Sequence, residues 1–117
     1  MVEAMILLDG RGPLPLKATF QAPASGSVMF VLAGSGYTGF QSGIIGITLS
    51  LDGTIIGKAT GYASISYAVQ PAAHYQVRPT YIALNNLSFG EHTITVAIQD
   101  YQTMTDQNDT FQVTLFY

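Results

Sequence analysis

The side chains that could take part in catalysis are few. His74 and His92 are the only two histidines and cysteine is absent, so thiol nucleophiles and cysteine-bound metals are excluded. No strained turn motif presents a serine nucleophile. His92 alternates with the apolar residues of a strand and is interpreted as the edge of a core, whereas His74 lies in a loop beside Tyr75. The sequence therefore predicts a protein without enzymatic activity or a cofactor, with His74 as a candidate binding residue.

A glycine motif follows the apolar run 28–33. Residues 34–39 read GSGYTG, which matches the pattern of dinucleotide-binding turns. That pattern binds a pyrophosphate only where its last glycine opens a helix, and the residues that follow are β-rich and interrupted by glycine. We interpret 34–43 as a glycine-rich loop. Its aromatic residues, Tyr37 and Phe40, either recognise a ligand or fold back over the end of the domain.

An acidic segment near the C-terminus offers oxygen ligands. Asp106, Asn108 and Asp109 carry the hard oxygen atoms that Ca²⁺ prefers. The glycine and the final glutamate of an EF-hand loop are absent, so the match is one of composition. The favoured interpretation is an acidic turn whose side chains cap the last strand, and no metal site is favoured.

Aromatic side chains in predicted loops and strands suggest a surface for a ligand or partner. Aromatic rings stack on the apolar faces of sugars, although tryptophan, the commonest sugar platform, is absent. The candidate binding residues are Tyr37, Phe40, Tyr62, Tyr67, His74 and Tyr75.

Period-two alternation predicts the elements that position these side chains. Phe111, Val113 and Leu115 alternate with polar residues, which indicates a strand with one face on a core. Asp52-Gly53 between two such runs predicts a two-residue hairpin turn. Strands are predicted at about 2–8, 14–21, 27–33, 44–51, 54–60, 62–69, 76–84, 91–99 and 109–117. We expect an all-β fold, an antiparallel, jelly-roll-like β-sandwich of eight or nine strands, as one domain over residues 1–117.

Several predicted strands are apolar on both faces. Met29 and Val31 lie on the face of their strand opposite Val28, Phe30 and Leu32. One face of a sandwich strand meets the core, so the other needs a second cover. We predict that a second copy of the chain supplies it, with Met29, Val31 and Phe116 at the interface.

Composition bounds the partners and the location. Of 117 residues, 48% are hydrophobic and 9% are charged, with a net charge of −3. These values exclude a disordered chain and a surface for nucleic acid or an anionic membrane. The sequence shows no signal peptide and no apolar run of the roughly 20 residues needed to span a bilayer. A virion or an extracellular surface is compatible with these features, and the localisation stays open.

Two segments resemble known β-sandwich proteins. Residues 87–96, LSFGEHTITV, resemble a strand entry of carbohydrate-binding modules, immunoglobulin-like domains and jelly rolls of the tumour necrosis factor and C1q type. The ending 111–117, FQVTLFY, resembles the aromatic last strand of a trimeric jelly roll, where such residues line the threefold axis. The first resemblance implies a sandwich, and the second implies a trimer.

Two functions follow as expectations. The first is a non-enzymatic structural protein that self-associates, with a homotrimer preferred, as in a virion or phage decoration protein within a larger assembly. The alternative is a lectin-like module that binds a glycan through the aromatic candidates.

Overall fold

The computed structural model describes residues 2–39, 42–64 and 73–117. In these ranges the chain forms nine β-strands and no helix, which confirms the all-β prediction. The strands are β1 (Ala4–Arg11), β2 (Leu16–Ala22), β3 (Gly26–Gly36), β4 (Ser42–Leu51), β5 (Thr54–Ser64), β6 (Tyr75–Gln76), β7 (Thr80–Leu87), β8 (Gly90–Ile98) and β9 (Thr110–Phe116). None of the described residues belongs to a helix that could cross a membrane.

The strands form two antiparallel sheets packed face to face. In the first sheet β9 lies between β1 and β3, and the other edge of β3 pairs with β7 and with the two-residue β6. The second sheet has the order β2-β8-β4-β5. The predicted antiparallel sandwich is therefore confirmed.

Alternation places the large apolar side chains between the sheets. Phe30 and Leu32 of β3 are fully buried, while their neighbour Met29 is exposed on the outer face. The largest fully buried side chains come from both sheets: Phe30, Phe111, Leu32, Ile45, Ile47, Leu49, Leu87, Ile94, Leu115, Val77, Val96 and Val113. Each stabilises the fold by about 1.5–3 kcal/mol relative to exposure, so this interior is the main source of stability.

The first three residues of the glycine motif lie in a strand and not in a loop. Gly34 and Gly36 belong to β3 and are buried. A Cβ on Gly34 would lie 2.5 Å from Phe111 Cδ1 and 2.9 Å from Ile47 Cδ1, so the glycine makes room for two core side chains. The prediction of a loop over 34–43 is wrong for residues 34–36, which belong to β3, and for residues 42–43, which belong to β4. Dinucleotide binding also requires a helix after the motif, and the described residues contain none.

Two strand boundaries differ from the prediction. β5 continues from Thr54 to Ser64 where two strands were expected, and residues 65–72 of the second lie outside the described residues. The predicted strand 76–84 is divided because the chain leaves the first sheet after β6, bonds to the second sheet at Arg78, and rejoins the first sheet at β7. The main-chain N–H of Val77 donates to β3, and that of Arg78 donates to the oxygen of Thr60 in β5.

The turn between β4 and β5 has the predicted two-residue form and is tied to β8. Asp52 and Gly53 have positive φ angles of 51° and 89°, as a type I′ turn requires. Oδ1 of Asp52 accepts the Thr93 main-chain N–H at 2.9 Å, and Oδ2 lies 2.5 Å from His92 Nδ1. His92 Nε2 lies 2.7 Å from the main-chain oxygen of Ser88. Because both ring nitrogens face acceptors, the geometry favours the doubly protonated imidazole.

These contacts shift two pKa values. The hydrogen bonds to Asp52 and to the Ser88 carbonyl raise the pKa of His92, against the opposing effect of burial. The Thr93 N–H and His92 lower the pKa of Asp52. The contribution of His92 is complete below its ordinary pKa of 6.5 and is lost as the pH rises through the raised value. The contribution of Asp52 is present above its ordinary pKa of 3.8 and is lost as the pH falls through the lowered value.

We predict that the melting temperature falls as the pH rises from about 6 to about 9, because His92 loses its proton and the charge-assisted bond to Asp52. The Asp52 side chain is 49% exposed, so water screens the pair and the loss should be about 1 kcal/mol, or about 4 °C. Asp52→Asn, which tolerates the positive φ, should flatten this dependence in thermal melts. Asp9→Asn removes an exposed carboxyl group elsewhere, and equal flattening by this control would contradict the assignment.

Candidate functional site

The buried carboxyl group of Asp109 organises one end of the first sheet. Its side chain is 0% exposed. Oδ1 accepts a hydrogen bond from Ser35 Oγ at 2.7 Å and lies 2.7 Å from His74 Nδ1, while Oδ2 accepts the Asp106 main-chain N–H at 2.9 Å. Burial of a carboxyl group is costly unless it is hydrogen-bonded, and these donors meet that requirement.

The same carboxyl group fixes the ring of His74. The ring lies beside Tyr37, with centroids 4.7 Å apart, and its Nε2 is 3.7 Å from Asp106 Oδ2. Ser35 and His74 both contact Oδ1 of Asp109, whereas a catalytic triad needs the serine bonded to the histidine. The arrangement therefore positions His74 without activating Ser35 as a nucleophile.

The cluster contains two of the three candidate calcium ligands, Asp106 and Asp109. Ligand atoms of His74, Asp106 and Asp109 lie within 4.8 Å of one another, and one imidazole with two carboxylates suits Zn²⁺ better than Ca²⁺. Both Asp109 oxygens already accept hydrogen bonds, and Asp106 Oδ1 accepts the Asn108 main-chain N–H at 2.8 Å. These contacts cap the turn before β9. Calcium binding by Asp106, Asn108 and Asp109, the alternative that the sequence does not favour, stays an untested hypothesis.

Asp109→Ala should lower the free energy of unfolding by about 3 kcal/mol, with a fall of about 10 °C in melting temperature, because several buried donors lose their acceptor. Asn108→Ala, at an exposed neighbouring position, should change it by less than about 0.5 kcal/mol. Denaturant unfolding followed by circular dichroism measures both. Similar values for the two variants would show that the buried contacts do not stabilise the fold.

The other aromatic candidates lie in different surroundings. Tyr37 is half-buried, and its main chain exchanges hydrogen bonds of 2.9 and 2.8 Å with Met104. Its ring lies against the ring of His74, so this side chain is folded back onto the protein. Tyr75 is half-buried and packs against the core. Phe40 and Tyr67 lie outside the described residues. The proposed recognition role of Tyr37 and Phe40 together therefore remains a prediction.

Tyr62 belongs to an open groove of about 680 Å³ along β5, which we call the β5 groove. One wall is the segment between β6 and β7, which is held against β5 by the Arg78 N–H on the Thr60 oxygen at 2.9 Å. Gly61 permits this approach, because a Cβ there would lie 2.9 Å from the main-chain oxygen of Gln76. The groove therefore depends on a glycine inside an edge strand.

The β5 groove combines an aromatic ring, hydrogen-bonding groups and positive charge. Tyr62 is 65% exposed and pairs in register with Ile44, which is 54% exposed. Lys58 and Arg78 both line the groove. Its other lining residues are Thr60, Gly61, Gln76, Val77, Pro79 and Thr80. Of these lining residues only Tyr62 is among the candidate binding residues predicted from the sequence. The scarcity of cations in the chain is the signal that could have pointed to Lys58 and Arg78.

The predicted interface residues lie together on the outer face of the first sheet. Met29 of β3 is in register with Phe116 of β9, and Val31 is in register with Thr114. They are remote in sequence, and the pairing of β3 with β9 makes them neighbours.

Comparisons with known proteins define the fold. No protein-family model matches the sequence, and no curated protein matches it. Part of dimeric latent PorU from Porphyromonas gingivalis is similar at 14% identity and a TM-score of 0.65, over 98% of this chain and 12% of that one. Part of PNGF-II is similar at 18% identity and a TM-score of 0.57, over 86% of this chain and 24% of that one. The chain thus corresponds to a small part of both proteins.

A third structure is similar to this chain over nearly the whole length of both proteins. It is a family 35 carbohydrate binding module from Clostridium thermocellum, at 13% identity and a TM-score of 0.50, with 98% of this chain and 89% of the module covered. The chain shares the fold of a carbohydrate-binding module. The resemblance to β-sandwich modules inferred from residues 87–96 is thereby confirmed for the fold.

Proposed function

We propose that this protein is a non-catalytic module that binds a glycan in the β5 groove. The observation that carries the proposal is the exposed ring of Tyr62 in a groove that also presents Thr60 and Gln76. A sugar ring has an apolar C–H face that stacks on an aromatic side chain and hydroxyl groups that need hydrogen-bonding partners. The groove provides both on one surface, and an extracellular location, where polysaccharides are found, belongs to the proposal.

The charge of the groove favours an acidic sugar. The whole chain has four cationic residues and a net charge of −3, yet two of the four, Lys58 and Arg78, line this groove. A carboxylate or sulfate on the ligand would gain charge-assisted hydrogen bonds from these side chains. A neutral sugar would use Tyr62 but would leave the two cations without a counter-charge.

The fold comparisons favour the lectin-like function over the virion or phage decoration role. A solved structure of the same fold and nearly the same length is a carbohydrate binding module. Self-association is compatible with glycan binding, because the β5 groove lies where β5 of the second sheet meets the β6–β7 segment of the first, and none of its lining residues belongs to the predicted interface.

Tyr62→Ala should weaken glycan binding at least about tenfold, because the stacking surface is lost. A glycan array with neutral and acidic sugars identifies the ligand, and titration calorimetry then measures the affinity. The melting temperature should change little, since the ring is largely exposed.

Phe89→Ala is the matched control for this test. Phe89 is also an exposed aromatic residue, at 73%, but it precedes β8 and does not line the groove. The control should bind as the unchanged chain does. No saturable binding to any sugar on the array, or equal loss in both variants, would refute the proposal.

Affinity for an acidic sugar should fall as salt is raised from about 50 to about 500 mM, because ions screen exposed charges. Lys58→Gln combined with Arg78→Gln should remove this salt dependence and reduce the affinity about tenfold or more. Lys17→Gln, which removes a cation from β2, should leave both the affinity and its salt dependence unchanged. Tighter binding of neutral than of acidic sugars, with an affinity that does not change with salt, would refute the acidic-ligand assignment while leaving the Tyr62 site intact.

A further inference from the structure

The outer face of the first sheet is apolar across four strands. Residues opposite one another in register share a face, so the pairings define rows that cross the sheet. One row is Ala4, Phe116, Met29 and Ala83, and the next is Ile6, Thr114, Val31 and Tyr81. We call these two rows, with Val2 at their edge, the apolar face.

Large side chains of this face are open to solvent. The exposed fractions are 72% for Ile6, 68% for Tyr81 and 39% for Met29. A groove of about 630 Å³ runs over the face beside Met29 and Phe116. The two rows carry no charged side chain, and the hydroxyl groups of Thr114 and Tyr81 are their only polar side-chain groups. The next row brings in Asp9 opposite Gln112, so a polar boundary limits the face.

The outer face of the second sheet is different. Its rows include Lys17, Thr95, Ser50 and Ile55, and then Lys58, Thr48 and Ala97. Ile55 and Tyr62 are exposed on this face, but lysine and threonine side chains separate them along β5, and polar residues fill most of the two rows, as is usual for the water-facing side of a sandwich sheet. Both sheets cover the same core, so the core does not account for the difference. The apolar face therefore needs an occupant of its own.

Its size and charge point to a second copy of this chain. With strands about 4.8 Å apart and alternate residues about 7 Å apart, the two rows measure about 20 by 14 Å, and with the polar row on each side about 20 by 28 Å. Two faces of the larger size total about 1,100 Å², close to the roughly 1,200 Å² at the low end of specific interfaces. An uncharged surface can meet its own copy without leaving a charge unpaired, whereas a sugar would find almost no hydrogen-bonding group on it.

We propose that two copies of the chain associate through the apolar face, first sheet against first sheet about a twofold axis. In a twofold interface each residue of the patch is buried twice, once in each copy. Met29, Val31 and Phe116 then lie near the centre, and Ile6 and Tyr81 lie on either side. The interface leaves the β5 groove free and does not depend on the proposed function.

The test compares two isoleucines of similar exposure. Ile6 is 72% exposed on the apolar face, and Ile55 is 65% exposed on the second sheet, in register with Ser50. Sedimentation velocity and light scattering from about 1 to about 500 μM measure the oligomeric state. The unchanged chain and Ile55→Asp should be dimers, and Ile6→Asp should raise the dimer dissociation constant at least about 100-fold, because two carboxylates enter the interface.

Circular dichroism and thermal melts of each variant separate loss of the dimer from loss of the fold. If Ile6→Asp does not fold, Tyr81→Gln, at an exposed side chain on the same face, serves in its place. A monomer of the unchanged chain over the whole range would overturn the proposal, and so would dissociation by both isoleucine variants alike. A trimer, the state that the aromatic last strand predicts, would overturn the twofold arrangement.

Discussion

Strand β3 is the element on which the rest of the structure depends, because its alternating side chains serve both faces of the first sheet. Phe30 and Leu32 fill the core, and Met29 and Val31 lie on the apolar face. Its glycine-rich end is buried, where Gly34 makes room for core side chains. Pairing with β9, β7 and β6 then brings chain segments far apart in sequence to one sheet.

The few charged groups of the chain divide into structural and solvent-facing sets. The carboxyl groups of Asp52 and Asp109 stabilise the fold by accepting hydrogen bonds from main-chain N–H groups and from histidine or serine side chains of the same chain. Lys58 and Arg78 instead line an open groove. Among the described residues neither side chain forms an ion pair, so both can form charge-assisted hydrogen bonds with an anionic ligand.

The two proposed surfaces share no lining residue, and this has a functional consequence. A twofold dimer formed through the first sheet would carry two β5 grooves. Two linked sites bind a repeating polymer more tightly than one site does, provided that the ligand can reach both. Binding of a sugar in the open groove and self-association through a separate surface would therefore support each other.

The sequence by itself determined the all-β sandwich, the Asp52-Gly53 turn and the two-sided apolar character of β3, because alternation and turn chemistry are local properties of the chain. It also allowed the rejection of dinucleotide binding. It did not reveal that Ser35, His74 and Asp109 meet, that His92 pairs with Asp52, or that Lys58 and Arg78 share a groove with Tyr62. Those contacts join residues up to 74 positions apart, and only strand order and register, set by burial of the whole core, decide which distant residues become neighbours.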